Sequence, residues 1–369
     1  MLLVTEVTAI REGRVHRRTA TEASRSESRP RPSSVRPSSR ARYFIVSQRP
    51  WRLAAGTLLS VGLLWLAARG VSWAEVAVAL GSARWNLIAV AAGCVLLATA
   101  LGAWCWRRLL VATTVPVTLV GAWKILLIGQ FLNICVPARA GDVTRVYLMG
   151  EAAGMPKTGA ATSLILEKVF DATTLLLLLG LVSLLVDLPA PLAGVRRGLA
   201  AAAVLLPLAV VALAWRGTGL VRLLERQAHG DGGWVTRLAR HGETIVESLR
   251  IIRHWQGLVL MQAGYLGVWL ALAGVNYAVL RALNLDIDVP VLAAFVVLIV
   301  LQVGTSVPST PGKIGVFQYL AVLALAPFGV ARELALTYGV LLHVVGFGPL
   351  VALGGFWSWT GLAAKRRAR

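Results

Sequence analysis

The fold of this chain depends on one stretch, Gly129-Gln-Phe-Leu-Asn-Ile-Cys-Val-Pro-Ala-Arg-Ala-Gly-Asp-Val-Thr-Arg-Val-Tyr147. An apolar run enters this stretch and is interrupted at Pro137 and Gly141. It resumes as a short segment that carries three charged residues, Arg139, Asp142 and Arg145. Lipid offers no hydrogen-bond partners to a broken backbone, so such a segment must be buried in protein or line a wet cavity. Charged side chains at this depth are costly, which favours a functional role for them.

The same pattern returns late in the chain. Val136-Pro137-x-x-x-Gly141 is echoed by Val307-Pro308-x-x-x-Gly312, with Lys313 in the place of Asp142. Two apolar segments interrupted by Gly and Pro in corresponding halves are typical of a transporter binding site. The alternative is a pair of ordinary proline kinks, which membrane helices tolerate. We predict broken-helix hinges at Pro137, Gly141, Pro308, Pro311 and Gly312.

Composition indicates a membrane protein. Hydrophobic residues make up 57% of the sequence and charged residues 15%, and the mean hydropathy is +0.71. Soluble domains are less apolar and more charged than this. At about 20 residues per span we expect an all-α polytopic protein with about six full spans and two broken re-entrant hairpins. A competing count of about eight full spans, with both breaks merely kinked, stays open.

The apolar runs divide the chain into two similar units. The boundary falls near residue 190, which gives repeats of about 51–190 and 191–362, each arranged as span, span, broken hairpin and span. An odd number of crossings in each unit makes the second inverted relative to the first, with a site between them near the midplane. The predicted spans are Leu53–Ala68, Asn86–Trp106, Ser163–Leu185, Gly198–Trp215, Gln256–Leu280 and Leu334–Thr360, with residues 71–85 as a polar, partly amphipathic connector.

Basic residues set the predicted topology. The net charge of +20 comes mostly from arginine, concentrated in residues 1–50, a loop at 216–255 and a tail at 363–369. Basic segments beside spans mark the cytoplasmic side and attract anionic lipid, so both termini and this loop are predicted to be cytoplasmic. The first 50 residues are predicted to be disordered, and 51–362 to form the membrane domain. Because these charges flank spans, we expect no nucleic-acid partner. We also expect no cleavable signal peptide, because the first apolar run begins only after Arg52.

A second group of charges lies in the span that follows the first break. Glu167 and Asp171 are four residues apart and share one helix face, with Lys168 beside it. They must point into the bundle, and the natural partners are Arg139 and Arg145. Two compatible interpretations stay open. One is a structural ion-pair network that holds the hairpin, and the other is a set of acids that exchange a proton or a cationic ligand group.

The first break also resembles an anion site. Gly141-Asp142 is typical of a helix start, with Asp142 as N-cap, and free N–H groups beside Arg139 would suit a lipid phosphate. Asp142 could instead occupy that positive end itself, and the sequence leaves both options open. The candidates for binding a lipid phosphate are Arg139, Arg145, Lys313 and Asn133. The candidates for charge balance or proton coupling are Asp142, Glu167, Lys168 and Asp171.

No pattern of catalytic residues accompanies these charges. The five histidines show no metal-ligand spacing, and the sequence contains no P-loop, nucleophile elbow or dinucleotide fingerprint. We therefore expect no enzymatic activity, no cofactor and no metal site.

Three stretches together resemble one family. They are Gly129 to Arg145, Leu166-Glu-Lys-Val-Phe-Asp171 and Pro308-Ser-Thr-Pro-Gly-Lys-Ile-Gly-Val-Phe-Gln318. They are similar to the flippase-like transmembrane domain of lysylphosphatidylglycerol synthases, which also occurs as stand-alone bacterial and archaeal membrane proteins. The family patterns P-x-x-x-G-[DE]-x-x-R and E-[RK]-x-x-D map onto Pro137, Gly141, Asp142, Arg145, Glu167, Lys168 and Asp171. Lys313 and Gln318 stand where the family commonly has an acidic ending, which argues against an acid role there.

The resemblance, over roughly residues 50–360, implies a function. In full-length synthases a soluble aminoacyl-transferase domain follows, and because this sequence ends in a basic tail we expect no such activity. What the resemblance implies is translocation of an anionic or aminoacylated phospholipid, or another lipid-linked anion, across a bacterial plasma membrane. The alternatives are a scaffold or accessory subunit of a lipid or envelope-glycan biosynthesis enzyme, and a transporter of a small soluble anion.

Overall fold

The computed structural model describes residues 50–110, 116–136, 139–185, 255–305 and 311–367, with isolated helical positions at 198, 201, 205 and 208. All of them belong to one compact unit, Arg49–Arg369. Several predictions lie outside the described residues: the disordered tail, most of the span Gly198–Trp215, the basic loop 216–255, and the hinges Pro137 and Pro308.

Within these ranges the chain is helical and forms no strand. The helices are α1 (Pro50–Ala68), α2 (Trp73–Gly81), α3 (Trp85–Leu109), α4 (Leu119–Cys135), α5 (Ala140–Ala153), α6 (Lys157–Leu185), α7 (Trp255–Ala282), α8 (Pro290–Gly304), α9 (Val316–Leu325) and α10 (Arg332–Arg367). Short 3-10 turns occupy Pro311–Lys313 and Ala326–Phe328.

Three helices among the described residues are long and apolar enough to cross a membrane. They are α3, α7 and the part of α10 from Arg332 to Gly361. The pieces Ser60–Ala68 and Trp73–Gly81 qualify only as a pair, bent by 85° at the break between them. The all-α class is thereby confirmed for the described residues, while the count of full crossings stays a prediction.

The region after the first predicted span differs from expectation. Residues 71–85 were predicted to be a connector, yet α2 forms within them. Gly70 has a positive φ of 76°, a backbone conformation that ends α1 and allows the sharp bend. Val76 and Ala79 then give α2 a buried face, so the segment packs as a helix against the bundle.

Small residues let α3 and α7 approach closely. A Cβ added to Gly264 of α7 would lie 3.1 Å from the Trp104 ring, and one added to Gly274 would touch the Cys94 sulfur at 3.5 Å. Membrane helices commonly associate through such small residues because lipid provides no hydrophobic drive between them. The α3–α7 pair is thereby the central contact of the bundle.

The helices on either side of this pair are arranged alike. In the first half α3 contacts α4, the hairpin α4–α5 closes on itself, and α5 contacts α6. In the second half α7 contacts α8, the hairpin α8–α9 closes likewise, and α9 contacts α10. The inverted relation of the two halves and their boundary near residue 190 stay predictions.

Glycines hold the two limbs of the first hairpin together. A Cβ on Gly141 of α5 would overlap the backbone carbonyl of Gly129 in α4, and would lie 2.7 Å from the Asn133 side-chain oxygen. Gly141 lies inside the first turn of α5, after the break in the chain. It therefore allows close packing, and the hinge itself comes before it. The N-cap of α5 is Arg139, in a left-handed conformation with φ of 53°, and Asp142 falls in the first turn instead of capping it.

The second break has a comparable form. α8 ends at Gly304, and a 3-10 turn at Pro311–Lys313 precedes α9. Gly312 and Lys313 have positive φ of 71° and 58°, so the turn departs from helical geometry before α9 begins. The Gln318 Oε1 accepts a hydrogen bond of 2.7 Å from the Gly315 N–H and so caps the start of α9.

Candidate functional site

A cavity of about 470 Å³ is lined by residues of α3 to α10 and by the second turn. Most of the charged residues selected from the sequence reach it. Its lining includes Asn133, Arg139, Asp142, Glu167, Lys168, Asp171 and Lys313, together with Gln302. Arg145 does not line it.

Asn133 joins the two limbs of the first hairpin at the cavity wall. Its side-chain oxygen accepts from the Gly141 N–H at 2.9 Å, and its Nδ2 donates to the Asp142 Oδ1 at 3.0 Å. The amide therefore satisfies one N–H at the start of α5 and fixes the Asp142 carboxylate. This arrangement makes Asn133 a structural brace of the hairpin as well as a lining residue.

Arg139 presents an exposed side chain at the tip of this hairpin. Among the residues that the structure describes, the ion pairs are those of Glu167 with Arg145 and with Lys168. The Arg139 guanidinium forms none of them, so its donors remain available to an anion in the cavity.

Arg145 lies behind the cavity wall. Its side chain is 1% exposed, and its guanidinium lies 4.2 Å from the centre of the Trp106 ring. Both Nη groups donate to the Glu167 carboxylate, the Nη1–Oε1 bond being 2.9 Å. A residue so enclosed joins α5 to α6 and offers no surface to a ligand, which supports the structural interpretation of this pair.

The remaining carboxylate on α6 is held differently. The Asp171 Oδ1 accepts a hydrogen bond of 2.9 Å from the indole Nε1 of Trp269 on α7. Asp171 forms no ion pair within the described ranges. It is therefore the acid of α6 that is freest to interact with a cationic group in the cavity.

The second break supplies the opposite wall. Lys313 donates from Nζ to the Thr305 Oγ1 at 3.1 Å. Beside it Phe317, His343 and Phe347 form an edge-to-face cluster, and both phenylalanines line the cavity. Arg139 and Lys313 thus bring one cation from each break to the same space.

The wall carries equal numbers of formal charges of each sign, with Arg139, Lys168 and Lys313 against Asp142, Glu167 and Asp171. Arg145 lies behind the wall and pairs with Glu167, so the whole group has one more cation than anion. Cations with free donors attract phosphate, and the acids beside them reduce the cost of holding several cations together. No three His, Cys, Asp or Glu side chains in the described part of the chain come together as a metal site.

Sequence reasoning missed the contribution of α7. Tyr265 lines the cavity at 3% exposure, and its hydroxyl has no hydrogen-bond partner among the described residues. Tyr265, Trp269 and Asn276 follow one another at helical spacing in an otherwise apolar helix. That polar stripe was the available signal, and it was overlooked because none of its members is charged.

Comparison with known proteins agrees with the sequence motifs. The family described as "Lysylphosphatidylglycerol synthase TM region" matches residues 53–354. A protein named glycosyltransferase AglD, from Haloferax volcanii, is 28% identical over 328 residues, covering 79% of this chain and 52% of that relative. The chain therefore spans about half the length of that curated relative. No solved structure matches. The family match takes in both breaks and the whole cavity, and this chain belongs to the lysylphosphatidylglycerol synthase transmembrane family.

Proposed function

We propose that this protein is a lipid translocase that carries an anionic head group through the cavity between its two halves. The observation that supports this most strongly is the meeting of Arg139 and Lys313, one from each broken hairpin, in a cavity lined by helices. Fixed cations inside a membrane protein are costly unless they serve a ligand or an ion pathway.

Different residues around the cavity have different roles in binding such a ligand. Arg139 and Lys313 bind the lipid phosphate, with charge-assisted hydrogen bonds from the guanidinium and the ammonium. Asn133 and the Arg145–Glu167 pair hold the first hairpin in place for this contact. Asp142 and Asp171 balance the cations, and Asp171 is positioned to meet an amino group on the ligand.

The ligand class follows from this mixture of charges. Membrane phospholipids with an anionic or aminoacylated head group, or a lipid-linked intermediate, combine a phosphate with apolar chains that remain in the bilayer. We place the protein in the bacterial plasma membrane with both termini in the cytoplasm, acting as a carrier and not as an enzyme.

A leaflet-sidedness assay tests this function. The purified protein is placed in liposomes with fluorescent phosphatidylglycerol or its lysyl derivative, and the fraction of probe accessible to a membrane-impermeant quencher is followed over time. We expect faster equilibration between leaflets than in protein-free liposomes, and slower equilibration in Arg139→Gln and Lys313→Gln. Equal rates with and without protein, for every lipid tried, would overturn the proposal.

One observation favours a second candidate. The relative from Haloferax volcanii is named a glycosyltransferase and is about twice as long as the matched region. An accessory or scaffold role beside an envelope-glycan enzyme would fit that name. If the protein is a scaffold, Arg139→Gln and Lys313→Gln should still bind the partner enzyme and support envelope-glycan synthesis. If it is a translocase, the same variants should still bind the partner but should reduce glycan synthesis.

A further inference from the structure

An apolar groove lies between α6 and α8, separate from the charged cavity. It has a volume of about 380 Å³ and almost no polar surface. Its walls are formed by Leu178, Leu181 and Val182 of α6 and by Val289, Pro290, Val291, Leu292 and Phe295, at and just before the start of α8. Within residues 50–182 and 255–361, no other helix closes this gap.

Only one layer of side chains separates this groove from the cavity. Leu178 and Phe295 line the groove, while Leu298, one turn further along α8, lines the cavity. These three side chains and Trp269 belong to a single apolar cluster. Trp269 is also the residue that donates to Asp171, so the cluster reaches from the groove to the charged wall.

The corresponding helix pair in the other half is closed. By the order of packing, α4 and α10 correspond to α8 and α6. Gly354 of α10 lies against α4 so closely that a Cβ there would overlap the Leu127 carbonyl and lie 2.6 Å from the Phe131 Cβ. Among the described residues, the α4–α10 pair is therefore tightly packed and the α6–α8 pair loosely packed.

We propose that the α6–α8 groove holds an acyl chain of the lipid whose head group occupies the cavity, and that it is the lateral opening through which that lipid enters. This inference rests on the proposed function and adds the route by which the lipid reaches the cavity. The apolar groove fits hydrocarbon, and the adjacent cavity fits a phosphate, so the two together match the two ends of one phospholipid. The cluster of Leu178, Phe295, Leu298 and Trp269 is the barrier that the glycerol region must displace.

Photolabelling in liposomes tests the groove directly. The probe is phosphatidylglycerol with a diazirine midway along one acyl chain, and labelled peptides are identified by mass spectrometry. We expect labelling of α6 and α8 around Leu181 and Val291 to exceed labelling around Val344, an equally exposed apolar position on α10. Equal labelling would mean ordinary surrounding lipid. Weaker labelling than at Val344, or cross-links between two copies at Val291, would mean that another segment or a second copy covers the groove. Each of these outcomes overturns the proposal.

Filling the groove gives an independent measurement. Val291→Trp, 59% exposed before substitution, should lower both the groove labelling and the translocation rate severalfold. Val344→Trp, 60% exposed, is the matched control and should leave both unchanged. Unchanged translocation in Val291→Trp would refute the entry path while the translocase function stands. Preferential groove labelling in a wild-type protein that moves no lipid would refute the function while the acyl site stands.

Discussion

Arg145 and Glu167 face each other as a two-point ion pair, in which Nη1 donates to Oε1 and Nη2 donates to Oε2. The pair joins α5, the second limb of the first broken hairpin, to α6. Trp106 covers the guanidinium from the side of α3. The hairpin is therefore tied to the bundle by a charge pair in which Arg145 lies behind the cavity wall and Glu167 lines it.

Removing one partner of this pair should destabilise the protein. Arg145→Ala leaves the buried Glu167 carboxylate with only the half-exposed Lys168 as a partner, and breaking a buried pair typically costs about 3–5 kcal/mol. We expect a lower unfolding temperature in detergent for this variant than for wild type. The double variant Arg145→Met with Glu167→Gln should recover much of the loss because no unpaired charge remains. Strictly additive losses in the double variant would show that the two residues do not act as a pair.

Removing a cavity cation should impair transport and leave folding intact. A hydrogen bond to a charged group contributes about 1.5–3 kcal/mol, so Arg139→Gln or Lys313→Gln should slow translocation about tenfold or more. The measurement is the leaflet-sidedness assay, with unfolding temperature as the folding control. Lys124→Gln is the matched control, since the Lys124 ammonium lies 4.0 Å from the Trp357 ring centre and outside the cavity. A comparable loss in the Lys124 variant would indicate a general charge effect.

The Tyr265 hydroxyl should matter for the ligand and not for the fold. Tyr265→Phe removes a buried hydroxyl that lacks a partner in the described chain, so its unfolding temperature should stay the same or rise. Its translocation rate should fall by about 2- to 10-fold, the equivalent of one neutral hydrogen bond. Tyr338→Phe is the contrasting variant, because the Tyr338 hydroxyl donates to the Asn276 Oδ1 at 2.8 Å. Tyr338→Phe should therefore lower the unfolding temperature. An unchanged unfolding temperature for Tyr338→Phe together with a lowered one for Tyr265→Phe would contradict a ligand-binding role of the Tyr265 hydroxyl.

Close packing of the first hairpin should tolerate no side chain at Gly141. Gly141→Ala places a methyl group against the Gly129 backbone and should cost about 1–3 kcal/mol or prevent folding. The control is Gly93→Ala on α3, where a Cβ meets nothing within 4 Å. That change should be neutral or stabilising by up to about 1 kcal/mol, since alanine favours a helix more than glycine. Recovery of folded protein by size-exclusion chromatography distinguishes the two.

The native Cys135 reports on the first break. It is exposed at the end of α4, whereas Cys105 is buried and Cys94 is partly so. In a Cys94→Ala, Cys105→Ala background, an impermeant maleimide should label Cys135 from one side of the membrane. A re-entrant hairpin predicts this accessibility because its tip meets water. Labelling only by a membrane-permeant reagent would indicate a plain spanning helix and would contradict the hairpin.

The charged residues of the cavity could be predicted because a charged side chain inside a membrane protein must face a cavity or pair with an opposite charge. Asp142, Asp171 and Lys313 had to face inward or pair, and the structure places all three on the cavity wall. Gly141 could likewise be recognised because it follows Pro137 by four residues. Its close contact with the Gly129 backbone could not, because that contact depends on the packing of the two limbs.

The parts that escaped prediction depend on tertiary contacts. Whether Arg145 faces a ligand or a partner is decided by Trp106 and Glu167, which lie far from it in the sequence. Tyr265 belongs to a polar stripe without charges, and its unpartnered hydroxyl within the described residues becomes visible only in the folded chain. The helix α2 was missed because its buried face consists of two small apolar residues in a nine-residue segment.

Arg139 and Lys313 share one further property: each holds a positive φ, of 53° and 58°, where glycine would be the easier residue. Such a conformation raises the energy of a residue with a side chain by about 1–2 kcal/mol. The backbone conformation of each turn therefore sets the direction in which the cationic side chain leaves the chain. The side-chain rotamer contributes less to the position of the charge. Glycine at both positions would relieve this conformational cost, and under the proposed function it would also remove both cations that hold the ligand.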